Sequence, residues 1–309
     1  MGRIIDITQD GYHLSRNRGF MIIKCSHDEV ARVPLDDIHA VIVHAHGITY
    51  TNSLLVELAL RGAVLVLCGN NHFPIAILGA TDGHHAQAGR VEDQISASLP
   101  LKKQLWKSIT VQKIRMQGAT LKAYGKNDAR LLMLARAVKS GDPTNVEATA
   151  ARHYWPSLMG PGFIRDRSLD DENTLLNYGY TILRAAVARS IIASGLHPSI
   201  GLHHQNRRNS FCLADDLIEP FRPLVDYTVR KLMDENIVQI EAKSKKALAA
   251  VLDFEIDIDN CRSSVTTAIQ QLCRSLALSF NRGRANLSFA KIPQPIEFSG
   301  LRLRHGLQE

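Results

Sequence analysis

Up to about residue 80, apolar residues occur in short runs separated by turn-forming residues. The runs "RIIDIT", "FMIIKC" and "HAVIVHA" are rich in Ile and Val, and Gly, Asn and Asp stand between such runs. This composition and run length predict β-strands. Residues 52–62 differ, because their apolar positions have helical spacing and the stretch ends at a glycine, which predicts one helix.

From about residue 98 onward, the apolar positions repeat with the period of an α-helix, as in "LKKQLWKSITVQKIRMQGATLKAYG". The polar, glycine-containing segment 81–97 is predicted to be a linker, and residues 291–309 a loose C-terminal tail. The predicted fold class is α+β: a small, β-sandwich-like N-terminal domain over residues 1–80 precedes a larger all-α domain over residues 98–290. Further helices are predicted at 128–139, 144–155, 173–194, 213–235, 244–253 and 259–281.

Composition narrows the class of protein. The 309 residues are 45% hydrophobic and 22% charged, which is ordinary for a globular protein, and no apolar run approaches the roughly 20 residues of a membrane span. The start lacks the apolar core of a signal peptide, and the five cysteines form no C-x-x-C pair. They resemble small buried hydrophobes in a reducing compartment, so we expect a cytoplasmic location. The net charge of +7 favours a polyanionic partner.

Ionisable residues crowd the segment "GLHHQNRRNSFCLADDLIEPFRP" at 201–223. On a helix, Asp216 and Glu219 share one face, and the loop before it brings His203 and His204 close to them. Imidazole with several carboxylate oxygens suits Mg²⁺ or Mn²⁺ better than zinc. Alternatively, the acids simply charge a helix N-terminus, and Glu219 pairs with Arg222.

Glu147 is a second carboxylate candidate. With Thr144 it forms a capping-box pattern at a plausible helix start, which would occupy its side chain. Asp142 followed by Pro143 is an equally good start and would leave Glu147 available. Weaker candidates are two histidine pairs, for which a half-exposed strand or a linker is the better explanation: His44 and His46, His84 and His85. Neither a P-loop, a dinucleotide fingerprint nor a nucleophile elbow occurs in the sequence.

The segment "NYGYTILRAAVARSIIASGLHPSIGLHHQNRRNSFCLADDLIEPFRPLVD" closely resembles the signature of the CRISPR-associated integrase family, the larger protein of the spacer-acquisition machinery. Three other segments resemble the same family in the same order: "VPLDDIHAVIVHAHGITYTNSLLVELALRGAVLVLC", "KQLWKSITVQKIRMQ" and "NVEATAARHYWPSLMG". The resemblance covers nearly the whole chain. It is greatest to the branch found with single-protein, RNA-guided effector systems.

The resemblance implies a metal-dependent DNA endonuclease and integrase, in which a DNA 3′-hydroxyl attacks a phosphodiester to insert a prespacer into a CRISPR repeat array. The implied metal ligands for Mg²⁺ or Mn²⁺ are Glu147, His204 and Glu219, with Asp216 as a further catalytic acid. Asp216 is an alternative ligand because the family's acidic pair falls on Asp216 and Glu219. His203 is an alternative to His204, because this chain has "NRRNS" where many family members carry a Gly-Arg turn after the histidine.

The resemblance also implies partners. These are prespacer and repeat DNA, a small second acquisition protein and the RNA-guided effector nuclease. It further implies a homodimer formed through residues 1–80, for which strands such as "AVIVHA" are expected to leave apolar faces exposed. No membrane partner is expected.

Two other classes of function remain open for this chain. One is a DNA-binding scaffold whose acidic cluster is merely structural. The other is a metallohydrolase that acts on a small substrate.

Basic and aromatic residues are candidates for holding DNA. Tyr154, Tyr178 and Arg184 either position DNA ends or pack between helices. The candidates for contacts with the DNA backbone are Lys102, Lys103, Lys107, Arg115, Arg207 and Arg208.

Overall fold

The computed structural model describes residues 3–69, 74–80, 86–259 and 261–300. The chain divides into two compact units, Met1–His85 and Ala86–Glu309. Of the sequence candidates, His84 and His85 lie outside the described residues. Among the helices that are described, none is both long enough and apolar enough to span a membrane.

In its described residues, the N-terminal unit contains two four-stranded sheets, one α-helix and one short 3-10 helix (Leu35–Asp37). In the first sheet the order is β1-β5-β7-β8, with β1 and β7 parallel to β5 and β8 antiparallel to β7. The second sheet has the order β4-β3-β2-β6. The elements are β1 (Arg3–Ile7), β2 (Tyr12–Asn17), β3 (Phe20–Cys25), β4 (Asp28–Pro34), β5 (Ile38–Val43), β6 (Thr49–Tyr50), α1 (Asn52–Leu60), β7 (Val64–Cys68) and β8 (Pro74–Leu78).

Both sheets and α1 supply one apolar core, which includes Leu14, Met21 and Leu54. The predicted strands and the helix are therefore confirmed. The expectation that "AVIVHA" leaves an apolar face exposed is wrong, because Val41 and Val43 are buried within the single chain. Both faces of β5 are covered, as is usual for a strand between two parallel neighbours.

The C-terminal unit is built mainly of helices. The long α6 is buried along most of its length and packs against α8 and α10. Gly179 permits the close approach of α8, because a Cβ atom there would lie 2.4 Å from Val225 Cγ1. The helices are α2 (Gln87–Ser96), α3 (Leu99–Ala123), α4 (Ala129–Ala137), α5 (Val146–Met159), α6 (Glu172–Ala193), α7 (Cys212–Leu217), α8 (Arg222–Asp234), α9 (Ala242–Ala249) and α10 (Val265–Arg282).

Two predicted boundaries in this unit are wrong. The predicted linker 81–97 contains α2, which docks through the buried Gln94 side chain onto the carbonyls of His197 and Ile200, at 3.0 and 2.7 Å. The unit is also not all-α. The predicted helix 259–281 starts instead in an antiparallel pair, β9 (Glu255–Ile258) with β10 (Cys261–Ser264), and α10 begins after it.

The single helix predicted at 213–235 is two helices, α7 and α8, joined by a turn. Pro220 cannot donate a backbone hydrogen bond and disfavours helical continuation, and Pro223 lies in the first turn of α8, where proline is tolerated. In the turn, the N–H groups of Phe221 and Arg222 both donate to the Ile218 carbonyl, at 2.9 and 3.1 Å. Glu219 therefore lies in a tight turn rather than on a helix face.

The C-terminal tail and the cysteines also differ from expectation. Residues 291–300 are not loose throughout, because Phe298 is buried and its ring lies 4.8 Å from that of Tyr227. Residues 301–309 of the predicted tail lie outside the described part. All five cysteines, each within the described ranges, are free thiols, but Cys25 and Cys261 are exposed.

Candidate functional site

The loop before α7 is fixed by a single buried carboxylate. Asp216 Oδ2 accepts hydrogen bonds from the backbone N–H groups of Leu202 and His203, at 2.6 and 3.1 Å. Its Oδ1 accepts from the His204 N–H at 3.2 Å and lies 2.6 Å from His204 Nδ1. A Cβ atom at Gly201 would lie 2.4 Å from the His204 carbonyl oxygen and 3.0 Å from Asp216 Oδ2, so this loop requires glycine.

The structure separates the roles of the two adjacent histidines. The contact with Asp216 occupies Nδ1 of His204, so Nε2 is the nitrogen left for a metal or a substrate. His203 instead stacks its ring on Trp106, with the ring centroids 4.3 Å apart and the planes 2° from parallel. The hydrogen bond to Asp216 raises the pKa of His204; burial opposes this shift, and the charges of Asp216 and Glu219 add to it.

Glu219 lies in the turn after α7 and is surrounded by cations. Its Oε2 lies 2.5 Å from Lys113 Nζ, and its Oε1 lies 3.0 Å from Arg222 Nε. Burial by itself would raise the pKa of Glu219, but the Arg222 and Lys113 charges outweigh burial and hold that pKa below its ordinary value. The pairing with Arg222 that the sequence left open is present, together with a second cation that the sequence did not predict.

Glu147 reaches the same lysine from α5. Lys113 Nζ lies 2.5 Å from Glu147 Oε1. The side chain of Glu147 is available because Asp142 accepts its backbone N–H at 3.0 Å and the N–H of the preceding residue at 2.9 Å. The N-cap is Asn145, in the left-handed conformation, rather than Thr144 of the capping-box pattern.

Lys113, on α3, is the site residue that sequence reasoning missed. It follows Ile109 by four positions and Trp106 by seven, so it lies on the buried face of its helix. Burial by itself would lower the pKa of Lys113, but the carboxylates of Glu219 and Glu147 outweigh burial and raise that pKa. Lys113 therefore stays protonated at this position. A lysine at an apolar position of a helical stripe was the available signal.

The predicted ligands are only partly brought together. Lys113 joins Glu147 to Glu219, and Asp216 holds His204. Within the described ranges, no group of three or more His, Cys, Asp or Glu side chains lies close enough to hold a metal ion by itself. The carboxylates of Glu147 and Glu219 each contact the Lys113 ammonium group, which lies between them.

A buried cluster of Asp226, Tyr154 and Tyr180 supports the turn from the side of α8. The Tyr154 hydroxyl donates to Asp226 Oδ2 at 3.0 Å, and the Tyr180 hydroxyl donates to Oδ1. Burial raises the pKa of Asp226 to about 6, although both tyrosine hydrogen bonds lower it. The Arg222 guanidinium lies 4.6 Å from the centroid of the Tyr180 ring, which links this cluster to Glu219.

The candidate DNA-binding residues fall into two groups. Tyr154 and Tyr178 are buried, and Arg184 pairs with Asp215, with its Nε 2.8 Å from Oδ1, so these three side chains pack inside the unit. Lys102 is half-buried. Exposed residues are Lys103, Lys107, Arg115, Arg207 and Arg208.

The weaker histidine candidates lie in the N-terminal unit. His44 is buried, with its Nε2 3.4 Å from Asp6 Oδ1. The backbone N–H of His46 donates to Asp10 Oδ1 at 3.0 Å. Neither belongs to a metal-ligating group within the part of the chain that the structure describes.

The fold is that of CAS1-type proteins. A CAS1 protein from Thermotoga maritima superposes with a TM-score of 0.72 at 15% identity, covering 93% of this chain and 99% of that chain. A casposase bound to its integration product superposes with a TM-score of 0.79 at 18% identity, covering 93% of each chain. At these identities the likeness concerns the fold.

Sequence comparison defines the family. Residues 5–256 match the family model of the CRISPR associated protein Cas1. The chain is 37% identical over 273 residues to the CRISPR-associated endonuclease Cas1 of Neisseria meningitidis serogroup C (strain 8013), covering 87% of this chain and 89% of that protein. A Cas1 from Francisella tularensis subsp. novicida (strain U112) is 25% identical over 279 residues. The chain therefore belongs to the CRISPR associated protein Cas1 family, as the resemblance predicted.

Proposed function

We propose that this chain is a metal-dependent DNA endonuclease and integrase that inserts prespacer DNA into a CRISPR repeat array. Membership of the Cas1 family and similarity to the Neisseria relative, which is named an endonuclease, support the reaction class. The observation that carries the proposal is the pair of carboxylates, Glu147 and Glu219, held around one cationic nitrogen, together with an oriented imidazole, His204, that interacts electrostatically with Glu219.

The residues fit a hard divalent cation. The carboxylate oxygens of Glu147 and Glu219 each lie 2.5 Å from the same nitrogen, so they cannot be more than twice that distance apart. Glu219 Oε2 is buried, and its cationic partner among the described residues is the Lys113 ammonium, 2.5 Å away. Glu147, Glu219 and His204 Nε2 would hold Mg²⁺ or Mn²⁺, both of which accept such oxygen-rich ligand sets. When bound, the ion supplies Lewis acidity, which lowers the pKa of an attacking 3′-hydroxyl and stabilises charge on the leaving oxygen.

The side chains of the protein orient the components of this reaction. Asp216 fixes the ring of His204, as carboxylates that hydrogen-bond metal-ligating histidines do. Arg222 holds the Glu219 carboxylate through Oε1, the oxygen that Lys113 does not contact. Arg207 and Arg208 follow His204 in the same loop and are exposed, which supports their proposed role of receiving DNA phosphates. Contacts with phosphate groups do not depend on the identity of the bases, which suits the binding of a prespacer whose sequence varies.

We infer that the chain works in the cytoplasm as a homodimer through its N-terminal unit. Apolar side chains of that unit support the dimer, because Leu60 of α1 is 76% exposed and Ile75 of β8 is 75% exposed. Neighbours of the same fold include a Cas6-RT-Cas1–Cas2 complex and a TtCas1-DNA complex. We accordingly propose DNA and a small second acquisition protein as partners, with the RNA-guided effector nuclease as a further one. We propose that the protein has two domains, which correspond to the compact units Met1–His85 and Ala86–Glu309.

A strand-transfer assay tests the proposal. It uses labelled prespacer DNA, repeat DNA and the small acquisition protein, in Mg²⁺, in Mn²⁺ and in EDTA. Transfer should require the metal and be abolished by Glu147→Gln and by Glu219→Gln, since each amide removes a charged oxygen from the site. Glu92→Gln, at an exposed carboxylate on α2, is the matched control and should transfer normally.

Three outcomes would contradict the proposal. Transfer in EDTA would remove the metal from the mechanism. DNA binding without any transfer by the parent protein would favour a scaffold role. A metallohydrolase of a small substrate would show phosphodiesterase activity without retention on DNA at near-physiological salt.

A further inference from the structure

Lys113 occupies the position between the two glutamates that the proposed metal needs. Its Nζ lies 2.5 Å from Glu147 Oε1 and 2.5 Å from Glu219 Oε2. Only 12% of its side chain is exposed, and that of Glu219 is 6% exposed. One ammonium group therefore serves as the common counter-ion of two carboxylates from separate parts of the fold.

The four charges that ion pairs join at this position balance one another without a metal. Glu147 and Glu219 contribute two negative charges, and Lys113 and Arg222 contribute two positive charges. A divalent cation added to this set would leave a surplus of positive charge at a mostly buried place, which is strongly unfavourable. Binding of the ion therefore requires that one of the two side-chain cations leave.

Lys113 is the cation that can leave. The Arg222 guanidinium is held on a second side by the Tyr180 ring, 4.6 Å away, and a planar guanidinium is less mobile than an ammonium on four methylenes. Within the described residues, Lys113 forms ion pairs with the two proposed ligands, so a metal that binds these oxygens removes its partners.

We infer that Lys113 is an internal cation that takes the place of the metal between Glu147 and Glu219 and is displaced when a divalent ion binds. This inference rests on the proposed function. It has two consequences. The ligands stay assembled in the metal-free protein, and the affinity for the metal is lower than the same ligands would give without the competing ammonium.

Acetylation of the parent protein tests the displacement without any measurement of activity. The protein is treated briefly with an N-hydroxysuccinimide ester in EDTA or in saturating Mn²⁺, and modified lysines are quantified by mass spectrometry. Acetylation of Lys113 should be slow in EDTA and rise several-fold in Mn²⁺. Lys107, an exposed lysine on the same helix, is the internal control and should react equally in both.

A Mn²⁺ titration followed by electron paramagnetic resonance tests the competition. Lys113→Met should bind Mn²⁺ at least about tenfold more tightly than the parent, because one unit positive charge is removed from beside the ligands. Lys107→Met should bind within about twofold of the parent. In EDTA, Lys113→Met should melt at a lower temperature than the parent, and Mn²⁺ should raise its melting temperature more than that of the parent.

The outcomes separate this inference from the proposed function. If the parent binds Mn²⁺ while acetylation of Lys113 stays unchanged, the inference is overturned and the metal centre stands. Unchanged or weaker Mn²⁺ binding by folded Lys113→Met also overturns it. If the parent binds no Mn²⁺, the metal centre itself is refuted and this inference falls with it. A Lys113→Met variant that does not fold leaves the acetylation test on the parent to decide.

Discussion

Asp216→Asn should separate orientation of the histidine from direct metal ligation. The asparagine carbonyl can replace Asp216 Oδ2 and keep the Leu202 and His203 N–H groups bonded. Its NH₂ group then faces His204, where Asp216 Oδ1 accepts the backbone N–H at 3.2 Å and lies 2.6 Å from Nδ1. Because the amide donates to Nδ1, the neutral ring must carry its proton on Nε2, which can then no longer bind a metal.

The size of the effect follows from these contacts. The His204 N–H loses a buried acceptor, which costs about 1–3 kcal/mol of unfolding free energy. Loss of the partner that orients a ligating histidine weakens metal affinity by about 10–100-fold. The variant should therefore remain folded and recover strand transfer at high Mn²⁺, whereas Glu219→Gln should not recover.

Mn²⁺ affinities of the parent, Asp216→Asn, His204→Ala and the double variant form the assay, with urea denaturation in EDTA to confirm folding. If Asp216 acts through His204, adding Asp216→Asn to His204→Ala should change the affinity by less than about threefold. An equal loss in both backgrounds would refute the reasoning and make Asp216 a ligand in its own right. Parent-like affinity in Asp216→Asn would refute it as well.

Three further predictions concern other parts of the helical unit. The pKa of Asp226 is about 6 in the folded protein, against an ordinary value of 3.8. Its neutral form therefore contributes stability that is fully present below about pH 4 and is lost as the pH rises through 6. This contribution to the free energy of unfolding is about 3 kcal/mol in all. Urea denaturation from about pH 4 to 7 should therefore give a flatter stability profile for Asp226→Asn than for the parent. Gly201→Ala should lower stability by about 1–3 kcal/mol and weaken Mn²⁺ binding, because its Cβ would lie 2.4 Å from a carbonyl oxygen. Replacing Arg207 and Arg208 together by Ala should flatten the salt dependence of DNA binding by up to about two log units per log unit of salt, at about 0.9 per phosphate contact.

Each of these predictions has a result that would contradict it, and the last two also have a control variant within the chain. An unchanged pH profile in Asp226→Asn would contradict the first prediction. Gly89→Ala is the control for the second, because a Cβ there meets nothing within 4 Å, and it should be neutral or stabilising. Equal effects of the two alanine substitutions would contradict the argument. For the third, Glu219→Gln in EDTA should keep the salt slope of the parent, and an unchanged slope in the double arginine variant would remove these residues from the DNA contacts.

Local sequence patterns were sufficient to predict most of the elements. Apolar runs of period two and of period 3.6 depend only on neighbours within a few positions, and they separated the β-rich unit from the helical one. The patterns failed where a distant contact decided the conformation. Gln94 docks α2 onto carbonyls near residue 200, and the aromatic contacts of Phe298 order part of the tail.

The candidate site was predicted from residue types and the family resemblance, but its internal arrangement depends on packing. The local sequence does not distinguish the roles of Asp216 and Glu219. In the structure, Asp216 accepts backbone hydrogen bonds from the loop before α7, whereas Glu219 lies in a turn beside two cations. Likewise, Tyr154 can be buried because its hydroxyl donates a hydrogen bond to Asp226, a residue 72 positions away in the sequence. Lys113 shows the limit most clearly, because a buried ammonium is stable only where two carboxylates from other segments meet it, and only the tertiary structure brings those carboxylates together.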